Sequence, residues 1–158
     1  MKTISVGLIG AGGMGTRHAV NLVERVGGAR VTAVYDVNRE AAQRAAELCG
    51  VERDCDSALE LIAARDVDAV IIASPDATHA ELTLECLRRG KPVLCEKPLA
   101  MQPEDALPIV EAERATGRRL VSVGLMRRFD PYHAAARDAV RSGRLGRAIL
   151  YKGTHRNA

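Results

Sequence analysis

Short apolar runs alternate along the chain with longer segments in which apolar residues recur every three or four positions. The runs predict strands at residues 3–9, 30–35, 67–73, 92–95 and 120–124, and the segments between them predict helices. The run at 67–73 is almost continuously apolar, which is typical of a parallel strand that is covered on both faces. The pattern therefore predicts an α/β protein with a parallel sheet.

Capping residues mark where several of these helices begin. Asn38 precedes a helix over 39–49, and Ser57 and Thr78 are each followed three residues later by a glutamate, which predicts two capping boxes. With a short third strand at 53–56, we expect about six strands in the order 3-2-1-4-5-6. Helices on both faces would make this a three-layer, doubly wound sheet.

Composition and charge narrow the class of protein. The 158 residues are 47% hydrophobic and 27% charged, as in an ordinary globular protein, and no apolar run approaches the length of a membrane span. Net charge is −6 over residues 1–113 and +9 over 114–158. A basic end can bind nucleic acid, but four aromatic residues offer almost no stacking platform. We therefore expect neither a nucleic-acid nor a membrane partner.

The four cysteines lie within or beside apolar segments and form no C-x-x-C pair. This spacing favours free buried thiols in a reducing cytoplasm over disulfides, and we expect no metal site.

A glycine-rich turn follows the first predicted strand. Gly10-Ala-Gly12-Gly13-Met14-Gly15 contains G-x-G-x-x-G between a strand and a helix, which is the context of a dinucleotide fingerprint. Gly10 permits the tight turn, Gly12 allows a pyrophosphate to approach the backbone, and Gly15 allows helix and strand to pack closely. The alternative is a purely structural turn. With the alternating pattern, this motif predicts a Rossmann-type fold.

Asp36 ends the second predicted strand, 21 residues after Gly15. An acidic side chain there accepts hydrogen bonds from the adenosine ribose hydroxyls and repels a 2′-phosphate, so it favours NAD over NADP. The alternative is that Asp36 only caps a turn. Arg39 tempers the preference because a basic residue in this loop can meet a 2′-phosphate.

Two further segments follow the central strands. Ser74-Pro75-Asp-Ala-Thr78-His79 lies across the expected switch point, and His79 either faces the cofactor or only sits near a helix N-terminus. Glu96-Lys97-Pro98 ends the fifth strand, where the Lys97 ammonium can stabilise charge on a substrate oxygen. Without the other motifs, a solvated lysine would be the better interpretation of Lys97.

These motifs together resemble those of the glucose–fructose oxidoreductase/inositol dehydrogenase family, in its cofactor-binding half. The resemblance rests on the glycine motif with His18, on the turn at 75–79, on Glu96-Lys97-Pro98-Leu99 and on the segment 124–131, which is most similar to inositol 2-dehydrogenases. It implies that Lys97 is the catalytic lysine, that Glu96 helps to position it, and that Arg127 and Asn157 border the substrate. The expected cofactor-binding residues are then Gly10, Gly12, Gly13, Met14, Gly15, Asp36, Arg39, Ser74, Pro75, His79, Glu96 and Lys97.

The resemblance also implies a function and a domain organisation. Residues 1–124 would be the cofactor domain, 125–147 a linker segment and helix that complete it, and 148–158 the first strand of a truncated substrate and oligomerisation domain. The complete protein would be a homo-oligomeric, NAD-dependent dehydrogenase of myo-inositol or a related polyol or sugar. A base beyond residue 158 would complete its site, so we expect the 158-residue chain to be inactive alone. The alternative is a nucleotide-sensing module without catalysis.

Overall fold

The computed structural model describes residues 3–51 and 55–154, which form five strands and six helices. The strands are β1 (Ile4–Ile9), β2 (Ala29–Tyr35), β3 (Ala69–Ile72), β4 (Val93–Cys95) and β5 (Val121–Val123). The helices are α1 (Gly13–Glu24), α2 (Arg39–Cys49), α3 (Ala58–Ala63), α4 (His79–Arg88), α5 (Pro103–Ala115) and α6 (Pro131–Arg141). Two single 3-10 turns, Asp76–Thr78 and Met126–Arg128, precede α4 and α6. Among the described residues, no helix combines the length and apolarity that crossing a membrane requires.

The strands form one parallel sheet in the order β2-β1-β3-β4-β5. The chain leaves β1 toward β2 on one side and later returns to place β3 on the other side of β1. This reversal creates a crevice at the carboxyl ends of β1 and β3, where open α/β sheets bind their ligands. The predicted α/β, doubly wound Rossmann-type class is therefore confirmed.

Two apolar clusters cover opposite faces of the sheet. On one face, small residues of α1 and α2 such as Ala19 and Ala45 pack against Leu8 and Val34. On the other face, α3 and α4 pack against the sheet, with Ile72 among the residues that are fully buried. A strand enclosed between helix layers is apolar on both faces, which explains the continuous apolar run of β3.

Helix α2 shows how locally the sequence can define an element. The Asn38 side chain accepts a hydrogen bond from the Ala41 N–H, and Gly50 ends the helix with left-handed backbone angles. The bounds 39–49 agree with those predicted. At α3, Ser57 likewise accepts a hydrogen bond from the Glu60 N–H, as its capping box predicts.

The predicted capping box at Thr78 is wrong. Thr78 belongs to a 3-10 turn, and its side chain does not cap α4. Its hydroxyl instead donates to the Pro75 carbonyl at 2.8 Å and lies 2.6 Å from the Ser74 hydroxyl. Because Pro75 begins a tight turn, Thr78 closes that turn rather than the helix.

The described residues show no third strand beside β2. Residues 53 and 54 lie outside the described residues, and Cys55 and Asp56 are not in a strand. The Cys55 N–H donates to the Val34 carbonyl at 3.1 Å, a single contact with the outer edge of β2. The chain then reaches Ser57, the cap of α3, after one further residue.

Residues 148–154 were predicted to begin a strand of a further domain, and that expectation stays a prediction. They are in no strand, and the side chains of Ile149, Leu150 and Tyr151 are exposed. A strand is held by hydrogen bonds to a neighbour, and none of the residues described in this structure pairs with this segment.

The chain divides into two compact units, residues 1–124 and 125–158. The first contains the whole sheet and α1–α5. In the described part of the second, α6 begins at Asp130, whose carboxylate accepts hydrogen bonds from the Tyr132 and His133 N–H groups.

Candidate cofactor and active site

The glycine-rich turn joins β1 to α1 at the switch point. Gly10 has a φ of +91°, and a Cβ on it would lie 2.5 Å from the Ala73 carbonyl. A Cβ on Gly15 would collide with the Gly10 carbonyl oxygen. The fold itself therefore requires glycine at both positions. The turn, α1 and the loop after β3 approach one another too closely there for a Cβ.

The other two glycines of the motif serve a different purpose. A Cβ on Gly12 or Gly13 would meet nothing within 4 Å, so no described part of the chain needs glycine there. No side chain caps α1, and its first turn contains no acidic residue, which leaves backbone N–H groups free at the positive end of the helix. Open space over unpaired N–H groups fits a pyrophosphate. Met14, which follows Gly13, is half exposed.

Asp36 lies beside this turn, at the end of β2. Its Oδ2 accepts a hydrogen bond from the Ala11 N–H at 2.6 Å, and its Oδ1 accepts one from the Asn38 N–H at 2.8 Å. Each carboxylate oxygen keeps a second lone pair that can accept from a ribose hydroxyl. Arg39 points elsewhere: its guanidinium donates to the exposed Asp56 carboxylate at 2.9 Å.

A cavity of about 480 Å³ connects these elements. It is lined by five of the predicted cofactor-binding residues, namely Gly10, Gly12, Asp36, Ser74 and Pro75. Apolar side chains, including Val37, Leu59 and Leu82, complete its walls. A mostly apolar cleft with few polar groups suits an adenosine. The cavity lining does not include Arg39, His79, Glu96 or Lys97.

The sequence left two roles open for His79, namely facing the cofactor or only lying near a helix N-terminus. Its surroundings favour the second role. Its side chain is only 1% exposed, and its ring nitrogens contact two backbone carbonyls, Pro98 at 2.6 Å and Ser74 at 2.9 Å. Both polar atoms of the ring are thus occupied within the protein. These contacts favour a structural role, and cofactor binding by His79 stays a prediction.

The segment 96–98 follows β4 at the same edge of the sheet. The Glu96 side chain is buried, whereas the Lys97 side chain is exposed. The Glu96 N–H donates to the Ile72 carbonyl, which ties this segment to the end of β3. Lys97 therefore stands at the carboxyl end of a central strand, next to the crevice.

The structure adds one residue that the sequence analysis did not place in the site. His18, on α1, lies with its Nε2 2.9 Å from Glu96 Oε1. Its position three residues after Gly15 puts both on one face of α1, and that spacing is the only local sign of its location. The partner is 78 residues further along the chain, beyond the reach of any local pattern.

The two residues expected to border the substrate belong to the second unit. Arg127 is exposed and lies 3.4 Å from the Asp130 carboxylate, where hydrogen bonds from the His133 backbone and side chain lower the pKa of Asp130. Asn157 lies outside the described residues.

Residues 4–125 match the model of the oxidoreductase family with an NAD-binding Rossmann fold. The chain belongs to this family, and it is an NAD-binding domain. The resemblance drawn from the motifs is thereby confirmed.

Relatives and solved structures agree with this assignment. An inositol 2-dehydrogenase of Rubrobacter xylanophilus is 53% identical over 157 residues, which cover 99% of this chain and 45% of that protein. Inositol 2-dehydrogenase 4 of Saccharopolyspora erythraea is 49% identical over 160 residues, or 99% of this chain and 46% of that protein. The chain therefore spans about half the length of the curated relatives it matches.

Among solved structures, the chain is similar to a myo-inositol dehydrogenase from Lactobacillus casei in complex with NAD(H) and myo-inositol. The TM-score is 0.85 at 33% identity, covering 89% of this chain and 42% of that one. For a myo-inositol 2-dehydrogenase from Lactobacillus plantarum the TM-score is 0.87 at 28% identity, covering 94% and 44%.

Proposed function

We propose that this chain is the cofactor-binding half of a dehydrogenase that oxidises a ring hydroxyl of myo-inositol, or of a related polyol or sugar, to a ketone. The observation that carries the proposal is the position of Lys97. Its exposed ammonium follows β4, which neighbours the strand whose carboxyl end borders the dinucleotide cavity. The inositol 2-dehydrogenases that match almost the whole chain support the substrate class.

In this proposal two groups of residues hold the cofactor. The N–H groups at the start of α1 hold the pyrophosphate over Gly12 and Gly13, where the backbone is open. Asp36 accepts from the adenosine ribose hydroxyls and disfavours a 2′-phosphate. Bound NAD supplies the hydride acceptor for the reaction.

Lys97 acts on the substrate oxygen. Oxidation of a secondary alcohol transfers a hydride from carbon and removes the hydroxyl proton, so negative charge develops on the oxygen. The Lys97 ammonium donates a hydrogen bond to that oxygen and stabilises this charge. Arg127 and Asn157 would border the polyol, and a base outside these 158 residues would accept the hydroxyl proton.

The test compares this chain with the protein that its complete gene encodes. We expect the 158-residue chain to bind NAD more tightly than NADP in calorimetry and to show negligible turnover. The complete protein should oxidise myo-inositol in a panel of inositols and hexoses. Robust polyol oxidation by the 158-residue chain would contradict the proposal that the reaction needs a base outside these residues. NAD binding by a complete protein that oxidises nothing in the panel would favour a nucleotide-sensing module instead.

A further inference from the structure

The contact between His18 and Glu96 links the dinucleotide-binding helix to the segment that carries Lys97. The two side chains are 21% and 10% exposed, and their 2.9 Å contact links α1 to the end of β4. When the carboxylate is ionised it can only accept, and the Nε2–H of His18 is then the donor. A charge-assisted bond of this kind, mostly removed from water, is among the stronger hydrogen bonds in proteins.

Glu96 is held on its other sides as well. The Lys97 N–H contacts its Oε2 at 3.3 Å, so the carboxylate also binds the backbone of the residue that follows it. A Cβ on Gly124 would lie 2.9 Å from the carboxyl carbon and both oxygens. The carboxylate therefore occupies a slot that exists because residue 124 is glycine, and it has little freedom to change rotamer.

A second histidine holds the same segment from the opposite end. His79, at the start of α4, contacts the Pro98 carbonyl at 2.6 Å. Lys97 is thus bracketed by two contacts from two different helices, one to the side chain before it and one to the backbone after it. Its own side chain remains exposed.

We propose that His18 is a positioning residue that acts on Lys97 through Glu96. This inference rests on the proposed function, because it gives Lys97 a role in the reaction. The bond transmits the placement of α1, which holds the dinucleotide, to the segment that places the ammonium against the substrate oxygen. A displacement of about 1 Å between reacting groups lowers a rate on the order of 100-fold, so such a link matters for turnover more than for binding.

Two variants of His18 separate positioning from simple packing. His18→Leu fills a similar space without a donor, whereas His18→Gln keeps an N–H donor at similar reach. In the complete protein we expect His18→Leu to lower kcat by about 10- to 100-fold while the Kd for NAD changes by less than about 3-fold. His18→Gln should recover most of the lost kcat. Glu24→Gln, an exposed change on the same helix, is the matched control and should behave as wild type.

A second readout does not depend on turnover. The Lys97 N–H binds the Glu96 carboxylate, so its hydrogen exchange reports directly on the order of this segment. In the 158-residue chain we expect faster exchange at Lys97 in His18→Leu and near-normal exchange in His18→Gln.

The outcomes distinguish this inference from the proposed function. Wild-type kcat in His18→Leu overturns the inference, and so does equal impairment of the leucine and glutamine variants, which would indicate packing alone. If the wild-type complete protein oxidises no polyol, the proposed function fails. Unchanged exchange at Lys97 in His18→Leu overturns the inference whatever the substrate is.

Discussion

The Ala11 N–H donates to Asp36 Oδ2 at 2.6 Å, which joins the glycine-rich turn after β1 to the end of β2. Asp36 therefore has two tasks. It fixes the turn that receives the pyrophosphate, and it presents the remaining lone pairs of its carboxylate to the ribose.

Removing the Asp36 carboxylate should weaken NAD binding. A lost hydrogen bond to a charged group costs about 1.5–3 kcal/mol, so Asp36→Ala should raise the Kd for NAD by about 10- to 100-fold. NADP binding should suffer less, because the repulsion of its 2′-phosphate is removed. Calorimetry with both nucleotides measures this. Glu40→Ala, an exposed acidic residue nearby on α2, serves as control, and an unchanged preference in Asp36→Ala would contradict the assignment.

Alanine substitutions at two glycines of the same motif should affect different properties, namely stability at Gly15 and NAD affinity at Gly12. Gly15→Ala should destabilise the fold, because its Cβ collides with the Gly10 carbonyl oxygen. Gly12→Ala should leave the unfolding midpoint unchanged, since its Cβ meets nothing, but should weaken NAD binding by covering the open backbone. Urea unfolding and NAD titration of both variants measure the difference. A stable Gly12→Ala chain with normal NAD affinity would remove the pyrophosphate from this position.

Lys97→Met should separate chemistry from cofactor binding. Methionine keeps much of the apolar stem but cannot donate a hydrogen bond to the substrate oxygen, so turnover of the complete protein should fall by about 100-fold or more. The Kd for NAD should stay close to wild type. Lys152→Met, an exposed lysine of the second unit, is the control. If NAD affinity collapsed while turnover at saturating NAD survived, Lys97 would be a cofactor ligand rather than a catalytic residue.

The buried thiols should make the chain sensitive to alkali. Burial raises the pKa of Cys86 from 9.0 to about 12 and that of Cys95 to about 11. The neutral thiols therefore contribute their full stability below about pH 9, and that contribution is lost as pH rises toward these values. The free energy of unfolding should fall from pH 9 to 11, with a shallower slope in Cys86→Ala. Equal slopes in both chains would exclude Cys86 as a cause.

Thr32→Val should stabilise the protein. The Thr32 hydroxyl is buried in β2 without a hydrogen-bond partner among the described residues. Valine keeps the β-branched shape without the desolvated hydroxyl, so we expect a gain of about 1 kcal/mol and a Tm about 2–4 °C higher. Thr116→Val should do the opposite, because that hydroxyl donates to the Glu113 carbonyl at 2.7 Å. Differential scanning calorimetry of both variants gives the comparison, and a lower Tm for Thr32→Val would show that its hydroxyl is satisfied.

Much of the fold could be predicted correctly from local sequence patterns. The bounds of α2, the parallel β3 and the sequence of strands from β1 to β5 follow from capping residues and apolar runs. Local patterns determine less where an element depends on a neighbouring strand. The expected strand at 53–56 contributes one described hydrogen bond to β2, and the residues at 148–154 pair with no described strand.

The sequence by itself determined the class of this protein, because the glycine spacing, Asp36 and the alternation of strands and helices are local or periodic features. Only the tertiary structure decided which histidine belongs beside Lys97. Both ring nitrogens of His79, which adjoins the switch-point turn, contact backbone carbonyls, while His18, for which the sequence analysis predicted no role in the site, contacts Glu96. The physical reason is distance along the chain: the sheet brings together residues 78 positions apart, and a hydrogen bond formed that way leaves no periodic trace.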